Sequence, residues 1–179
     1  MSTHTEVAIL GGGCFWCLDA VYRQARGVTA VESGYMGGQQ ADPTYEQVST
    51  GTTGHVEVVR LAFDPAVVSY RDLLEVFFTI HDPTTPNRQG NDVGPQYRSA
   101  IFATTPEQFE MAKQVAAEMA AVWDGPIVTE IAPATLWYRA EDYHQDYFRH
   151  HPNQGYCAFV VAPKVLKFQQ IFQDRLGKM

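Results

Sequence analysis

The chain has 179 residues, of which 45% are hydrophobic, 12% aromatic and 18% charged. That mixture folds around a core rather than staying disordered, and at this length folding buries roughly 70% of the unfolded surface. Thirteen Lys and Arg against twenty Asp and Glu leave a formal charge of −7, which argues against the basic footprint of a nucleic-acid binder, so no nucleic-acid partner is expected.

Glu6–Leu10 is a short apolar run with strand character, stopped by Gly11-Gly12-Gly13. From Cys14 to Arg26 the spacing predicts a helix, with Leu18, Val21, Tyr22 and Ala25 at i, i+3, i+4 and i+7 and Gly27 as the stop. Val28–Tyr35 reads as a strand, followed by a long Gly/Gln/Asp/Pro loop, and Val56–Phe63 as a second run of β-branched residues. Ser69 has the character of an N-cap with Asp72 three residues on, opening a helix with Leu73, Leu74, Phe77 and Phe78 on one side. Asp82–Arg98 is an irregular, functional-looking loop, and Ser99–Ala103 is a candidate strand.

Thr105-Pro106-Glu107-Gln108 is a capping box with proline at the first helical position, opening a helix to about Val122. Ile127–Ile131 returns as a strand, Glu141–His150 reads as helical, Tyr156–Val161 as extended and Lys164–Leu176 as a closing helix. The first six elements run β-α-β, β-α-β, which is the split βαβ order of an α+β, ferredoxin-like two-layer sandwich, here with a C-terminal extension.

No run nears the twenty or so apolar residues of a membrane span, so no membrane partner is expected. The opening Met1-Ser2-Thr3-His4-Thr5-Glu6 lacks the positive region of a signal peptide. Three cysteines, two of them in one C-x-x-C, do not form a secreted disulfide framework. A cytoplasmic enzyme with reactive cysteines is the expected class.

The densest chemical signal is Gly11-Gly12-Gly13-Cys14-Phe15-Trp16-Cys17, between a predicted strand and a predicted helix. A cysteine at a helix N-terminus faces unpaired N–H groups and the positive end of the macrodipole, which favour thiolate. Phe15 and Trp16 beside it suggest an apolar or methyl-bearing substrate. No Gly-Lys-Ser/Thr follows, so the glycines are no phosphate cradle. A zinc site would need a second closely spaced ligand pair, so no metal is expected. A thioredoxin-like dithiol using Cys14 and Cys17 is the competing reading.

The run Gly-Cys-Phe-Trp resembles the active-site motif of the peptide methionine sulfoxide reductase A family. Pro43-Thr44-Tyr45, Thr53-Gly54-His55-Val56-Glu57-Val58-Val59, His81-Asp82-Pro83, Arg88-Gln89-Gly90-Asn91-Asp92, Gln96-Tyr97-Arg98-Ser99-Ala100 and Ala140-Glu141-Asp142-Tyr143-His144-Gln145 are similar to the family's other blocks, in its order. The resemblance runs from about Val7 to Cys157 and implies one reductase domain over residues 1–179. It implies reduction of the S epimer of methionine sulfoxide, free or in proteins, with no cofactor and with thioredoxin as the reductant.

By this resemblance Cys14 is the nucleophile, becoming a sulfenic acid, and Glu57 the acid that protonates the departing oxygen. Tyr45 and Tyr97 match the phenols that hydrogen-bond that oxygen, Asp92 a supporting carboxylate, and Phe15 and Trp16 the methyl pocket. Pattern alone reads these residues differently. Glu57 alternates with Val56 and Val58 as a solvated strand position, Tyr45 and Tyr97 are half-buried surface tyrosines, and Asp92 belongs to a turn. His55, His81 and His144 read as satisfied structural histidines.

The chain departs from the family pattern at two places. Cys17 stands where the family commonly has glycine, and Gly155-Tyr156-Cys157 runs into Ala158-Phe159-Val160-Val161 instead of a glycine-rich coil. Cys157 matches the usual resolving cysteine by position, on a segment made mobile by Pro152–Gly155, with Cys17 as the alternative.

Overall fold

The computed structural model describes residues 4–176; Met1–Thr3, part of the opening read above for targeting signals, lie outside them. Strand β1 (Glu6–Gly11) leads through the glycine turn into helix α1 (Phe15–Tyr22), and β2 (Val28–Met36) follows. Helix α2 (Tyr45–Ser49), β3 (Val56–Phe63) and α3 (Tyr70–Ile80) come next, then the short strands β4 (Arg88–Gln89) and β5 (Asp92–Val93) and strand β6 (Ala100–Ala103). Helix α4 (Pro106–Met119), β7 (Glu130–Pro133), β8 (Tyr138–Arg139), α5 (Tyr147–His150), a π-helical stretch Cys157–Val161 and α6 (Ala162–Ile171) follow.

The main sheet has the order β7-β6-β1-β3-β2-β8. Every pairing in it is antiparallel except β6 with β7. Its centre, β6-β1-β3-β2, places β3 between the mutually parallel β1 and β2, as the split βαβ order requires.

Strand alternation assigns the two faces. Ala8, Leu10, Val59, Leu61 and Phe63 pack under Leu18 and Val21 of α1 and Leu74, Phe77 and Phe78 of α3. Burying each such large side chain is worth roughly 1.5–3 kcal/mol. The opposite face carries Ile9, Met36, Val56, Val58 and Phe102, with Trp137 packed on it. The sheet centre is therefore buried on both faces. Glu57 has the parity of Val59 and Leu61, points into the helix layer and is 1% exposed. Its expected solvated position is thus corrected, because apolar–polar alternation marks solvent only when one face is wet.

Several expected elements differ in kind. The loop after β2 contains α2, whose Thr44 side chain accepts from the Gln47 N–H while the Gln47 side chain returns to the Thr44 N–H. At α4, Thr105 caps Gln108 as expected, but the Gln108 side chain bonds the Thr104 N–H, so the box is only half closed. The helix expected over Glu141–His150 is broken into a 3-10 turn Asp142–His144 and the four-residue α5. The break falls at Asp146, in the left-handed region at φ 54°.

The extended run expected over Tyr156–Val161 is helical. Cys157, Val161, Val165 and Phe168 are buried at helical spacing. Pro163 has no N–H for the carbonyl four residues before it, which accounts for the wide π turn upstream. Cys157 therefore sits fully buried at the start of a helical segment, where the sequence suggested a mobile strand.

Candidate active site

Cys14 is the N-cap of α1, placed there by the glycine turn. Gly13 adopts φ +86°, and a Cβ on it would lie 2.7 Å from Cγ of Gln89. Its N–H donates to the Tyr97 carbonyl at 3.2 Å. The loop bearing Tyr97 is thereby tied to the turn that presents the thiol. Gln89 is itself held by Asp82, accepting from its N–H and donating to its carbonyl at 2.9 Å each.

Glu57 approaches from β3. Its Oε1 accepts from the Phe15 N–H at 3.1 Å, so the carboxyl occupies one of the unpaired donors of the helix start. Burial pushes its pKa up to about 8, aided by the charge of Asp92 and opposed by the Phe15 N–H. At neutral pH it is largely a neutral acid.

Cys14 is 8% exposed, and its thiol lies well above its ordinary value. Burial is the chief cause, followed by the charges of Glu57 and Cys17, against the Trp16 N–H, which favours thiolate. The sequence-based expectation of a depressed thiol is corrected. The helix start acts in the expected direction, but desolvation prevails in a dry site beside a carboxyl group.

Tyr45 is the first residue of α2. Its N–H donates to Glu141 Oε2 at 2.8 Å, and the other oxygen of Glu141 accepts from the Tyr35 hydroxyl at 2.9 Å. Burial, Glu57 and Cys14 push the Tyr45 phenol up to about 12. The Tyr97 phenol is raised by burial and then by Glu57, Tyr45, Cys14 and Asp92. Glu57 is tied to the glycine turn through the Phe15 N–H and Tyr97 through the Gly13 N–H, and the Tyr45 ring lies 4.4 Å from that of His144, which accepts from Trp16.

Asp92, on β5, accepts from the Tyr156 hydroxyl at 2.6 Å. Burial raises the Cys17 thiol to about 11, against the Lys164 charge and the Tyr156 hydroxyl, which both lower it. Cys157 is fully buried in the same core cluster as Cys14 and Cys17, and burial raises its thiol too. All three cysteines are free.

Phe15 is fully buried, whereas Trp16 lies at the margin of the core. The Trp16 indole N–H donates to Nδ1 of His144 at 3.0 Å, and its ring stacks on Tyr147 with centroids 3.8 Å apart and 5° between planes. His55 and His81 are satisfied at both ring nitrogens, as expected. His144 departs from that expectation. It is fully buried, and its Nε2 has no partner among the described residues.

Sequence reasoning missed Glu141, Tyr147 and Tyr156 as site residues. The local signal for Glu141 and Tyr147 was the cluster of aromatic and polar residues from Glu141 to Tyr147, and for Tyr156 its place beside Cys157. Two surface cavities, of about 780 and 560 Å³, are lined by residues other than Cys14 and Glu57. The chemistry is concentrated at the glycine turn instead.

A split βαβ sandwich with a buried acid against a helix-capping cysteine defines a class of α+β proteins built for thiol chemistry. The sequence profile described as peptide methionine sulfoxide reductase matches residues 6–176. The peptide methionine sulfoxide reductase MsrA of Ralstonia nicotianae is 57% identical over 177 residues, covering 96% of this chain and 93% of that protein. That of Sulfolobus acidocaldarius is 53% identical over 174 residues, covering 95% and 97%.

Among solved structures, reduced Mxr1 from Saccharomyces cerevisiae superposes with a TM-score of 0.83 at 33% identity, covering 88% of this chain and 91% of that one. Methionine sulfoxide reductase A of Corynebacterium diphtheriae gives 0.77 at 37% identity, covering 86% and 78%. The chain belongs to the peptide methionine sulfoxide reductase family.

Proposed function

We propose that this protein reduces the S epimer of methionine sulfoxide, free and in polypeptides, to methionine, working as one reductase domain in the cytoplasm. The observation that carries this reading is the buried Glu57 carboxyl, still protonated near neutral pH and held by the Phe15 N–H beside Cys14. A sulfoxide oxygen does not leave as free oxide, so it needs a proton as sulfur is attacked. A neutral carboxylic acid supplies one without placing a charge beside the nucleophile.

Cys14 Sγ attacks the sulfoxide sulfur while Glu57 protonates the oxygen. The S–O bond breaks, the oxygen ends on Cys14 as a sulfenic acid, and the thioether leaves as methionine. The thiol proton restores Glu57, so thiol and sulfoxide become sulfenic acid and thioether with every atom conserved. Tyr45 and Tyr97, with phenols held protonated, donate to the oxygen as charge develops on it. Phe15 and Trp16 receive the methyl group, and Asp92 supports the site through the Tyr156 hydroxyl. No cofactor takes part.

Cys157 then condenses with the sulfenic acid, releasing water, and thioredoxin reduces the resulting disulfide. Cys17, one helical turn from Cys14, is the alternative partner. General thiol–disulfide exchange through Cys14 and Cys17 fits the site less well, because it leaves the buried, protonated Glu57 carboxyl beside Cys14 without a role.

The test is turnover of stereochemically defined methionine sulfoxide with dithiothreitol. Wild-type protein is expected to reduce the S epimer and leave the R epimer. Folded Cys14→Ser is expected to be inactive with every reductant. Near-wild-type activity in Cys14→Ser, or efficient use of the R epimer, overturns the reading.

A further inference from the structure

Beyond its first turn, α1 carries a buried ionic network that the mechanism above does not use. Trp16, Asp19 and Arg23 follow one another at i, i+3 and i+7 and so share one stripe of the helix. Asp19 is 1% exposed. Its carboxylate accepts from Arg23 Nε at 2.5 Å, from Ser33 Oγ at 3.3 Å and from the Asp146 N–H at 3.3 Å. Arg23 in turn reaches Asp146 Oδ1 at 3.4 Å and the Val31 carbonyl at 2.9 Å.

Gln145 pins the same segment to β2. It accepts from the Ser33 N–H at 2.8 Å and donates to the Ser33 carbonyl at 3.0 Å. Asp146 is where the chain enters the left-handed region, at φ 54° and ψ 42°. An L-residue adopts that conformation at a cost of about 1–2 kcal/mol, so the surrounding contacts must hold it there. The residues on either side are those that grip Trp16: His144 takes its N–H and Tyr147 lies flat against its ring.

We propose that Asp19 and Arg23 are positioning residues for the substrate's methyl pocket. They fix the backbone turn at Asp146, and through it the His144–Tyr147 clamp that sets the plane of the Trp16 indole. The inference rests on the reading of Trp16 as a substrate contact. The network is anchored on α1 itself, so the helix that carries the nucleophile also carries the far end of the clamp. Thiol and pocket wall therefore keep a fixed relation.

Arg23 is the link most open to change. Its side chain is 32% exposed. It borders a cleft of about 780 Å³ that Gln24, Val28, Phe148, Arg149 and Leu176 also line. Ion pairs more than packing hold it in place.

The experiment compares Arg23→Met, Arg23→Lys and Asp146→Gly, glycine being the residue that keeps a left-handed backbone without strain. KM and kcat are measured on a peptide containing methionine S-sulfoxide. In parallel, Trp16 emission is read in a Trp123→Phe/Trp137→Phe background, where Trp16 is the remaining tryptophan. Loss of the clamp is expected to raise KM about tenfold or more, since misplacement by an ångström costs up to about 10²-fold in rate. The emission intensity of Trp16 is expected to change with it.

Arg23→Lys is expected to recover only part of both signals, because an ammonium cannot fork across two carboxylates. Asp146→Gly keeps the turn and its N–H bond to Asp19 and is expected to stay near wild type in KM and emission. A lowered melting temperature with unchanged KM and unchanged Trp16 emission in Arg23→Met overturns the inference and leaves the network a structural one. Failure of wild-type protein to reduce the sulfoxide overturns the functional reading instead, and the emission measurement still decides whether Arg23 sets Trp16.

Discussion

Glu57→Gln separates what the buried acid does for catalysis from what it does to stability. In the unfolded chain Glu57 releases its proton near 4.5, whereas in the folded chain it keeps it to about 8. Between those values the unfolded state binds fewer protons, so stability falls as pH rises. Below the lower value both states are protonated and there is no penalty; above the upper value the whole penalty is present. A displacement of this size corresponds to on the order of 5 kcal/mol.

Glutamine keeps an oxygen for the Phe15 N–H and does not titrate. The variant is therefore expected to match wild type in urea unfolding at pH 4 and to exceed it in stability by several kcal/mol at pH 9. Groups away from Glu57 titrate alike in both proteins and cancel in the difference. Activity moves the other way. Single-turnover formation of the sulfenic acid is expected to drop about 10²–10⁴-fold near neutral pH, the usual loss for a general acid. The wild-type rate is expected to decline above pH 8, where Glu57 loses its proton, and the variant to show no such decline. Parallel stability curves from pH 4 to 9, together with a near-wild-type rate, would refute the assignment of a buried proton donor at Glu57.

Two more outcomes are expected. After one turnover of reduced protein without reductant, peptide mapping is expected to find Cys157 in the dominant disulfide, and Cys157→Ser to lose thioredoxin-dependent turnover. A dominant Cys14–Cys17 link with turnover surviving in Cys157→Ser makes Cys17 the resolving thiol. Gly13→Ala forces a left-handed φ on an L-residue and drives its Cβ into Gln89. It is expected to lose about 1–3 kcal/mol in denaturant unfolding and to reduce turnover further by tilting Cys14, whereas unchanged stability and turnover would show that the turn relaxes freely.

Periodicity served well where neighbours in sequence share one environment. The strands at Glu6–Gly11 and Val56–Phe63 and the cap of α3 at Ser69 stand close to where their patterns place them. It failed where a distant contact competes with the local preference. The helix expected over Glu141–His150 breaks because Gln145 and Asp146 bond to Ser33 and Asp19, more than a hundred residues away. The run from Tyr156 to Val161 looks extended because its residues are aromatic and β-branched. It is helical because Cys157, Val161, Val165 and Phe168 have a core to fill at helical spacing.

The sequence by itself determined the βαβ–βαβ order, the glycine turn before Cys14 and, through its motif blocks, the family. These are properties of residues close together in the chain or of residue identity alone. The tertiary structure decided which way Glu57 points, because strand alternation names two faces without saying that both are buried. It also decided that the Cys14 thiol is raised and that the Glu57 carboxyl stays protonated, since both result from desolvation by packed neighbours. The Trp16–His144 hydrogen bond joins residues 128 positions apart, and no local pattern reports a contact made only when the sheet brings its ends together.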